Sequence, residues 1–113
     1  MSKARFTLAG VKVTEAQLVL AQHLKELGIT VEPEFPFDEA RNWRFDLVAS
    51  GGETLAFECD GGQWSGGHRR GKAIDAENEK LNSATLSGWR VLRFTNDYIL
   101  SGQAKAFLAR YLR

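Results

Sequence analysis

Two β-prone segments separated by a four-residue turn constrain the fold of this chain more than any other feature of its sequence. Trp43–Ala49 and Thr54–Asp60 are rich in apolar and aromatic residues, and Ser50–Glu53 between them carries two glycines. A turn this short predicts a hairpin of antiparallel neighbours. Residues near Asp46 are then expected to face residues near Glu58.

The rest of the chain predicts helices and further extended segments around this hairpin. In order, these are a helix from the N-cap Thr14 to Gly28, an extended segment or edge strand Ile29–Phe37, a helix Lys72–Ser87 stopped by Gly88, a strand Trp89–Thr95, and a helix Asp97–Leu112 capped by Asn96. A strand, a crossover helix and a second strand in one sheet imply parallel pairing. The expected architecture is therefore α/β, a mixed central β-sheet flanked by helices, in one domain over residues 1–113.

The composition of the chain limits the cellular compartments in which such a domain is expected. The chain has 113 residues, 43% of them hydrophobic and 26% charged, which is typical of a globular protein. Cys59 is the only cysteine, which excludes an internal disulfide and a multi-cysteine zinc site and favours a reducing compartment, with the cytoplasm as the default. No run approaches the roughly 20 apolar residues that span a bilayer, and the N-terminus lacks a signal-peptide signature, so no membrane association is expected.

Charge is distributed unevenly along the chain. Fifteen Lys and Arg against fourteen Asp and Glu give a net charge of +1, which does not by itself favour nucleic acid. Residues 61–71 contain five glycines and predict a loop of unusual backbone freedom, and residues 64–73 contain no acid. Either this loop is simply solvated or its basic side chains grip phosphate. The candidate nucleic-acid contacts are Trp64, His68, Arg69, Arg70 and Lys72.

Two of these loop residues have competing interpretations. Trp64 would stack on a base or sugar, or it would pin the loop to the core, and we favour the second interpretation. His68 would act as a general acid or base, although a single histidine in a glycine-rich loop more often does neither.

Three carboxylates lie at the ends of the hairpin strands, and they are the candidates for chemistry. Because strand side chains alternate, Glu58 and Asp60 point to the same face, and the hairpin brings Asp46 close to them. Hard oxygen ligands of this kind suit Mg²⁺ or Mn²⁺, which activate water for phosphodiester hydrolysis. Acids at strand ends are usually solvated surface groups, but these follow the apolar run Leu55–Phe57 and lead directly into the basic loop. We therefore treat them as a candidate metal site.

Other chemistries fit the sequence less well. The segment GGQWSGG lacks the Gly-Lys-Ser/Thr ending of a phosphate-binding P-loop and the spacing of a dinucleotide fingerprint. Ser65 is not in a nucleophile-elbow pattern. Cys59 sits between two carboxylates, whose negative charge is expected to raise the pKa of its thiol. Neither side chain is expected to be a nucleophile.

The segments WRFD, FECDGGQWSGG, ENEKLN and GWRVLRFT resemble small phage and bacterial proteins of the PD-(D/E)XK nuclease superfamily, near the very-short-patch-repair-like endonucleases. The resemblance covers about residues 43 to 96. It implies a restriction-endonuclease-like core whose acids bind Mg²⁺ (or Mn²⁺) for cutting nucleic acid. Asp46 resembles the first motif acid and Glu58 the second. A bacterial or phage-infected cytoplasm is the location that this resemblance implies.

The chain departs from the motif at Asp60, which stands where the family name expects lysine. A lysine from the following helix is the obvious substitute, and Lys80 in ENEKLN is our choice, with Lys72 second. Lys80 is equally well explained as a helix-surface partner of Glu77. Glu15 resembles the acid that some members of the superfamily bring to the metal from the first helix, but the helix dipole explains a first-turn acid equally well.

Together the residues and the resemblance predict a metal-dependent DNA endonuclease. Asp46, Glu58 and Asp60, with Glu15 as a fourth candidate ligand, would hold the metal, and Lys80 would orient the attacking water. Duplex or branched DNA is the expected substrate, with RNA left open. A homodimer is compatible with the sequence, because small single-domain nucleases often need two copies to cut both strands, but no patch in the sequence indicates one. The alternatives are a non-catalytic nucleic-acid-binding module that lacks the family lysine, and a subunit of a larger phage or mobile-element nuclease assembly.

Overall fold

The computed structural model describes residues 5–38, 40–61 and 71–112. Its elements are β1 (Phe6–Leu8), β2 (Val11–Val13), α1 (Glu15–Glu26), β3 (Val31–Asp38), β4 (Trp43–Ala49), β5 (Leu55–Asp60), α2 (Lys72–Leu86), β6 (Arg90–Thr95), α3 (Asn96–Leu100) and α4 (Gln103–Tyr111). The main sheet has the order β3-β4-β5-β6, in which β5 and β6 are parallel and the other neighbours antiparallel. The predicted mixed sheet, its hairpin and its proline-containing edge strand are confirmed.

Apolar side chains pack on both faces of this sheet. On one face, residues of α1, α3 and α4 bury Leu47 and Phe57. On the other face, Phe45, Val48 and Ala56 pack against Ala84 of α2, with aromatic side chains at the periphery. The two layers of helices therefore hold β4 and β5 from both sides, which fixes the strands that carry the candidate acids.

The alternation of side chains along β4 is broken at Asp46. In a regular strand Phe45 and Leu47 would share a face. Here Leu47 belongs to the apolar cluster beside α1, whereas Phe45 and Val48 both belong to the cluster beside α2. The neighbouring strand is irregular at the same level, because Glu34 has a φ of +54°, a left-handed conformation that non-glycine residues seldom adopt.

The C-terminal region differs from its prediction. The predicted continuous helix Asp97–Leu112 is wrong: Gly102, with a φ of +86°, separates α3 from α4. The predicted N-cap is also one residue off, since Thr95 rather than Asn96 caps α3 by accepting a hydrogen bond from the backbone N–H of Tyr98 at 3.2 Å. None of the helices in the described ranges is long and apolar enough to cross a bilayer.

A small N-terminal hairpin was not predicted. β1 and β2 pair antiparallel, with Phe6 opposite Val13. Ala9 and Gly10 between them have φ values of +50° and +80°, the two consecutive left-handed residues that tight hairpin turns require. Three-residue strands are too short to produce a recognisable alternation, which explains why the sequence pattern did not reveal them.

Candidate active site

Asp46 and Glu58 lie side by side where backbone pairing between β4 and β5 ends and hydrogen bonds from backbone to side chain connect the two strands. The pairing of β4 with β5 runs through Val48–Ala56 and Leu47–Phe57, and Asp46 and Glu58 are the next residues beyond it on the two strands. There the backbone N–H of Asp46 donates to Glu58 Oε2 at 2.8 Å, and the backbone N–H of Cys59 donates to Asp46 Oδ2 at 2.7 Å. Each carboxylate therefore accepts a hydrogen bond from a backbone N–H of the opposite strand. Because these backbone donors are held by the sheet, they fix the orientation of both carboxylates.

Lys80 reaches this pair from α2. Its Nζ donates to Glu58 Oε1 at 2.8 Å, and the two side chains are only 14% and 7% exposed. The ammonium also lies 5.8 Å from the ring centroid of Phe45. Glu77, the surface partner that the sequence also allowed for Lys80, instead accepts from Arg93 Nη1 at 3.1 Å. The structure therefore brings the Lys80 ammonium into the site.

The electrostatics of the site favour a neutral Asp46 when no cation is present. Burial is the main cause that raises the pKa of this carboxyl to about 7, and the negative charges of Glu58 and then Glu34 add to the rise. The N–H of Cys59 and the charge of Lys80 act in the opposite direction. Burial also raises the pKa of the Cys59 thiol, with Asp46 and Glu58 adding to it, so this thiol is a poor nucleophile.

An open cavity of about 520 Å³ lies over these side chains. Asp46, Glu58, Asp60 and Lys80 all line it. A smaller neighbouring cleft of about 330 Å³ extends from Asp60 between α2 and β6. The residues that line the large cavity also include cationic and aromatic ones, namely Trp43 and Arg44 from β4 and Arg93 from β6.

The structure does not bring the other described candidates, Glu15 and Lys72, into the site. Glu15 is exposed in the first turn of α1 and is not one of the described residues that line the cavity. Lys72 is the exposed first residue of α2. Trp64, His68, Arg69 and Arg70 lie outside the described residues.

Sequence reasoning missed two residues next to the site, Gln17 and Glu34. Gln17 of α1 is 5% exposed, and its Nε2 donates to Glu34 Oε2 at 2.9 Å and to the backbone carbonyl of Asp46 at 3.4 Å. The spacing Thr14-x-x-Gln17 is a capping-box signal that could have drawn attention to Gln17. No local signal indicates its contacts with β3 and β4, because these depend on how α1 packs against the sheet.

The carboxylate pair suits a hard divalent cation. Within the described ranges, no three His, Cys, Asp or Glu side chains form a group that could hold a metal on its own. Mg²⁺ does not need such a cage, because it commonly uses one or two carboxylates, keeps several waters and takes a phosphate oxygen of the substrate. A cation at Asp46 and Glu58 would also offset the repulsion that raises the pKa of Asp46. The donor set therefore fits Mg²⁺ or Mn²⁺.

Comparison with solved structures identifies the fold as one used by an endonuclease catalytic domain. The similar structure is the catalytic domain of the homing endonuclease I-Bth0305I, with a TM-score of 0.64 and 22% sequence identity over 85% of this chain and 91% of that domain. At this level of identity the likeness shows a shared fold. No protein-family model matches the chain, and no curated protein is significantly similar to it in sequence.

Proposed function

We propose that this chain is a divalent-metal-dependent endonuclease that hydrolyses phosphodiester bonds in DNA. The observation that carries the proposal is the Asp46–Glu58 pair, oriented by backbone N–H groups and contacted by Lys80, at the base of an open cavity. Two facing carboxylates removed from water are costly to keep for stability alone. A site that binds a cation gives them a function, and the fold shared with a homing endonuclease catalytic domain supports the same reaction class.

In this proposal Asp46 and Glu58 hold the cation, and Asp60 at the edge of the same cavity completes or supports the site. When bound, the cation supplies Lewis-acid polarisation of the scissile phosphate and activation of water. The chain's own contribution is preorganisation, because the N–H groups of Asp46 and Cys59 hold the two carboxylates in place before substrate arrives.

Lys80 has a separate role in the proposed reaction. An ammonium has three N–H donors, and one of them is directed at Glu58 Oε1. The others are available to orient the attacking water or to stabilise negative charge that develops on the phosphate. Lys80 is thereby the proposed replacement for the motif lysine whose position Asp60 occupies, and it supports assignment to the PD-(D/E)XK superfamily near its very-short-patch-repair-like branch.

We also propose duplex or branched DNA as the substrate and a homodimer as the form that cuts both strands.

The test is incubation of the purified protein with labelled linear, branched and single-stranded DNA, with Mg²⁺, Mn²⁺ or EDTA. The variant is Glu58→Gln, which keeps the length of the side chain and one acceptor oxygen but removes the negative charge, and the matched control is Glu53→Gln in the exposed β4–β5 turn. We expect metal-dependent cutting that falls at least about 100-fold in Glu58→Gln and stays unchanged in Glu53→Gln. Cutting that resists EDTA, or that survives in Glu58→Gln, would refute the proposal. Binding without cutting under every metal would favour the non-catalytic module or a missing partner.

A further inference from the structure

Gln17 makes more contacts than a helix cap requires. It and Glu58 are the two buried polar or charged residues of the described chain, each 5% exposed. In the capping box, Gln17 Oε1 accepts from the backbone N–H of Thr14 at 2.8 Å, and the backbone N–H of Gln17 donates to Thr14 Oγ1 at 3.2 Å. Of the Gln17 side chain, capping uses only the amide oxygen, so the amide nitrogen can donate to other partners.

The amide nitrogen of Gln17 bonds to the two strands that lead into the site. Nε2 donates to Glu34 Oε2 on β3 at 2.9 Å and to the main-chain carbonyl of Asp46 on β4 at 3.4 Å. With these two bonds, both N–H donors and the oxygen of the amide have partners. The start of α1 is thereby tied to the same level of the sheet at which Asp46 meets Glu58.

The backbone at this level of the sheet is irregular. The β3–β4 register, which pairs Pro33 with Leu47 and Phe35 with Phe45, places Glu34 opposite Asp46. Glu34 has a φ of +54°, a strained conformation for a non-glycine residue that persists only where surrounding contacts hold it. The contacts of Glu34 are therefore expected to matter for the geometry of its neighbour Asp46.

We propose that Gln17 is a positioning residue of the metal site, acting on Asp46 and Glu34 through its side-chain amide. Its bond to the Asp46 carbonyl fixes the peptide that follows Asp46 and so directs the carboxylate toward Glu58. Its bond to Glu34 stabilises a second negative charge beside Asp46 and keeps Glu34 in its left-handed conformation. In this role Gln17, and not the first-turn acid Glu15, is the contribution of α1 to the site. The inference rests on the proposed function above.

Two variants separate positioning from helix capping. Gln17→Met keeps the length and packing of the side chain but removes both N–H donors together with the oxygen that accepts from Thr14, so a variant that weakens the cap alone is needed beside it. Thr14→Ala removes the hydroxyl cap but leaves the Gln17 amide and its partners on β3 and β4 in place. The measurements are Mn²⁺ titration calorimetry without DNA, the metal concentration for half-maximal DNA cleavage, and thermal unfolding in EDTA.

We expect Gln17→Met to weaken Mn²⁺ binding by about 10-fold or more, as is usual when a partner of a metal ligand is removed. The metal concentration for half-maximal cleavage should rise by a similar factor. Thr14→Ala should lower the unfolding temperature, because a hydroxyl cap stabilises the start of a helix. Its Mn²⁺ affinity should stay within about twofold of wild type, because the bonds from Gln17 to β3 and β4 remain. Gln17→Leu is the second variant if Gln17→Met is too poorly folded to titrate.

Unchanged Mn²⁺ affinity in folded Gln17→Met and Gln17→Leu would overturn the inference. Equal weakening in Gln17→Met and Thr14→Ala would also overturn it, because the effect would then belong to the helix cap. Both results leave the proposed function intact, since they concern variants of a wild-type protein that binds metal and cuts. A wild-type protein that neither binds Mn²⁺ nor cuts DNA would instead refute the proposed function, and this inference with it.

Discussion

Asp46 makes the stability of the metal-free protein depend on pH. The pKa of its carboxyl rises from an ordinary 3.8 to about 7 on folding, mainly because of burial. An acid with a raised pKa is protonated preferentially in the folded state, so its contribution is fully present below about pH 4 and is lost as pH rises through 7. Relative to Asp46→Asn, wild type should lose on the order of 4 kcal/mol of unfolding free energy between pH 4 and 8. Urea unfolding in EDTA at several pH values measures this, and parallel pH profiles for the two proteins would contradict it.

In the proposed site the same residue would couple metal binding to proton release. A cation that binds the Asp46 carboxylate must displace its proton wherever the pH lies below about 7. Mn²⁺ binding should therefore release about one proton at pH 6 and almost none at pH 8, with affinity rising over that interval. Calorimetry in two buffers of different ionisation enthalpy counts the protons. Release that does not change with pH would show that Asp46 is not the group displaced.

Lys80 should affect both stability and cutting. Lys80→Met leaves the Glu58 carboxylate, which is 7% exposed, without its cationic partner. Removing one member of a buried ion pair costs roughly 3 to 5 kcal/mol, so metal-free Lys80→Met should unfold at lower urea. Cleavage should fall at least about 100-fold even at saturating Mg²⁺ and below the unfolding transition. Lys25→Met, on the exposed end of α1, is the control and should change neither property. Full activity in Lys80→Met would remove this residue from the proposed reaction.

At the scale of elements, the predictable part of the fold is the part with strong periodicity. The β4–β5 hairpin could be predicted because its strands are β-prone and joined by a short turn, and such a hairpin brings Asp46 close to Glu58. The final helix was mispredicted because its apolar spacing continues across Gly102, although a left-handed residue there ends one helix and begins the next. The Gln17–Glu34 contact could not be predicted, because it joins residues that are distant in sequence. The spacing of apolar residues in a helix does not show how that helix packs on a sheet.

The break between α3 and α4 gives a prediction at this scale. Gly102 has a φ of +86°, and a Cβ built on it would have no heavy atom within 4 Å, so the cost of a side chain there is conformational and not steric. Gly102→Ala should lower the free energy of unfolding by about 1 kcal/mol. DNA cleavage should be unchanged, because α4 packs on the apolar side of the sheet away from the cavity. Chemical denaturation measures the loss. A stabilised Gly102→Ala protein would mean that α3 and α4 can merge into the single helix that the sequence pattern indicates.

At the scale of the whole molecule, a net charge of +1 supplies little long-range attraction for DNA, so the DNA binding that we propose would depend on local contacts. The described part of the chain carries one Asp46–Glu58 pair, and under the proposed function one such site would cut one strand at a time. If two copies act together on duplex DNA, as we propose, wild-type protein should convert supercoiled circles to linear product with few nicked circles. An excess of Glu58→Gln protein should then form mixed dimers that cut one strand only, so nicked circles should replace linear product. If single chains nick independently, inactive protein would only compete for DNA. Both products would then form more slowly, and the ratio of nicked to linear product at a given extent of substrate conversion would stay unchanged. That result would establish independent nicking.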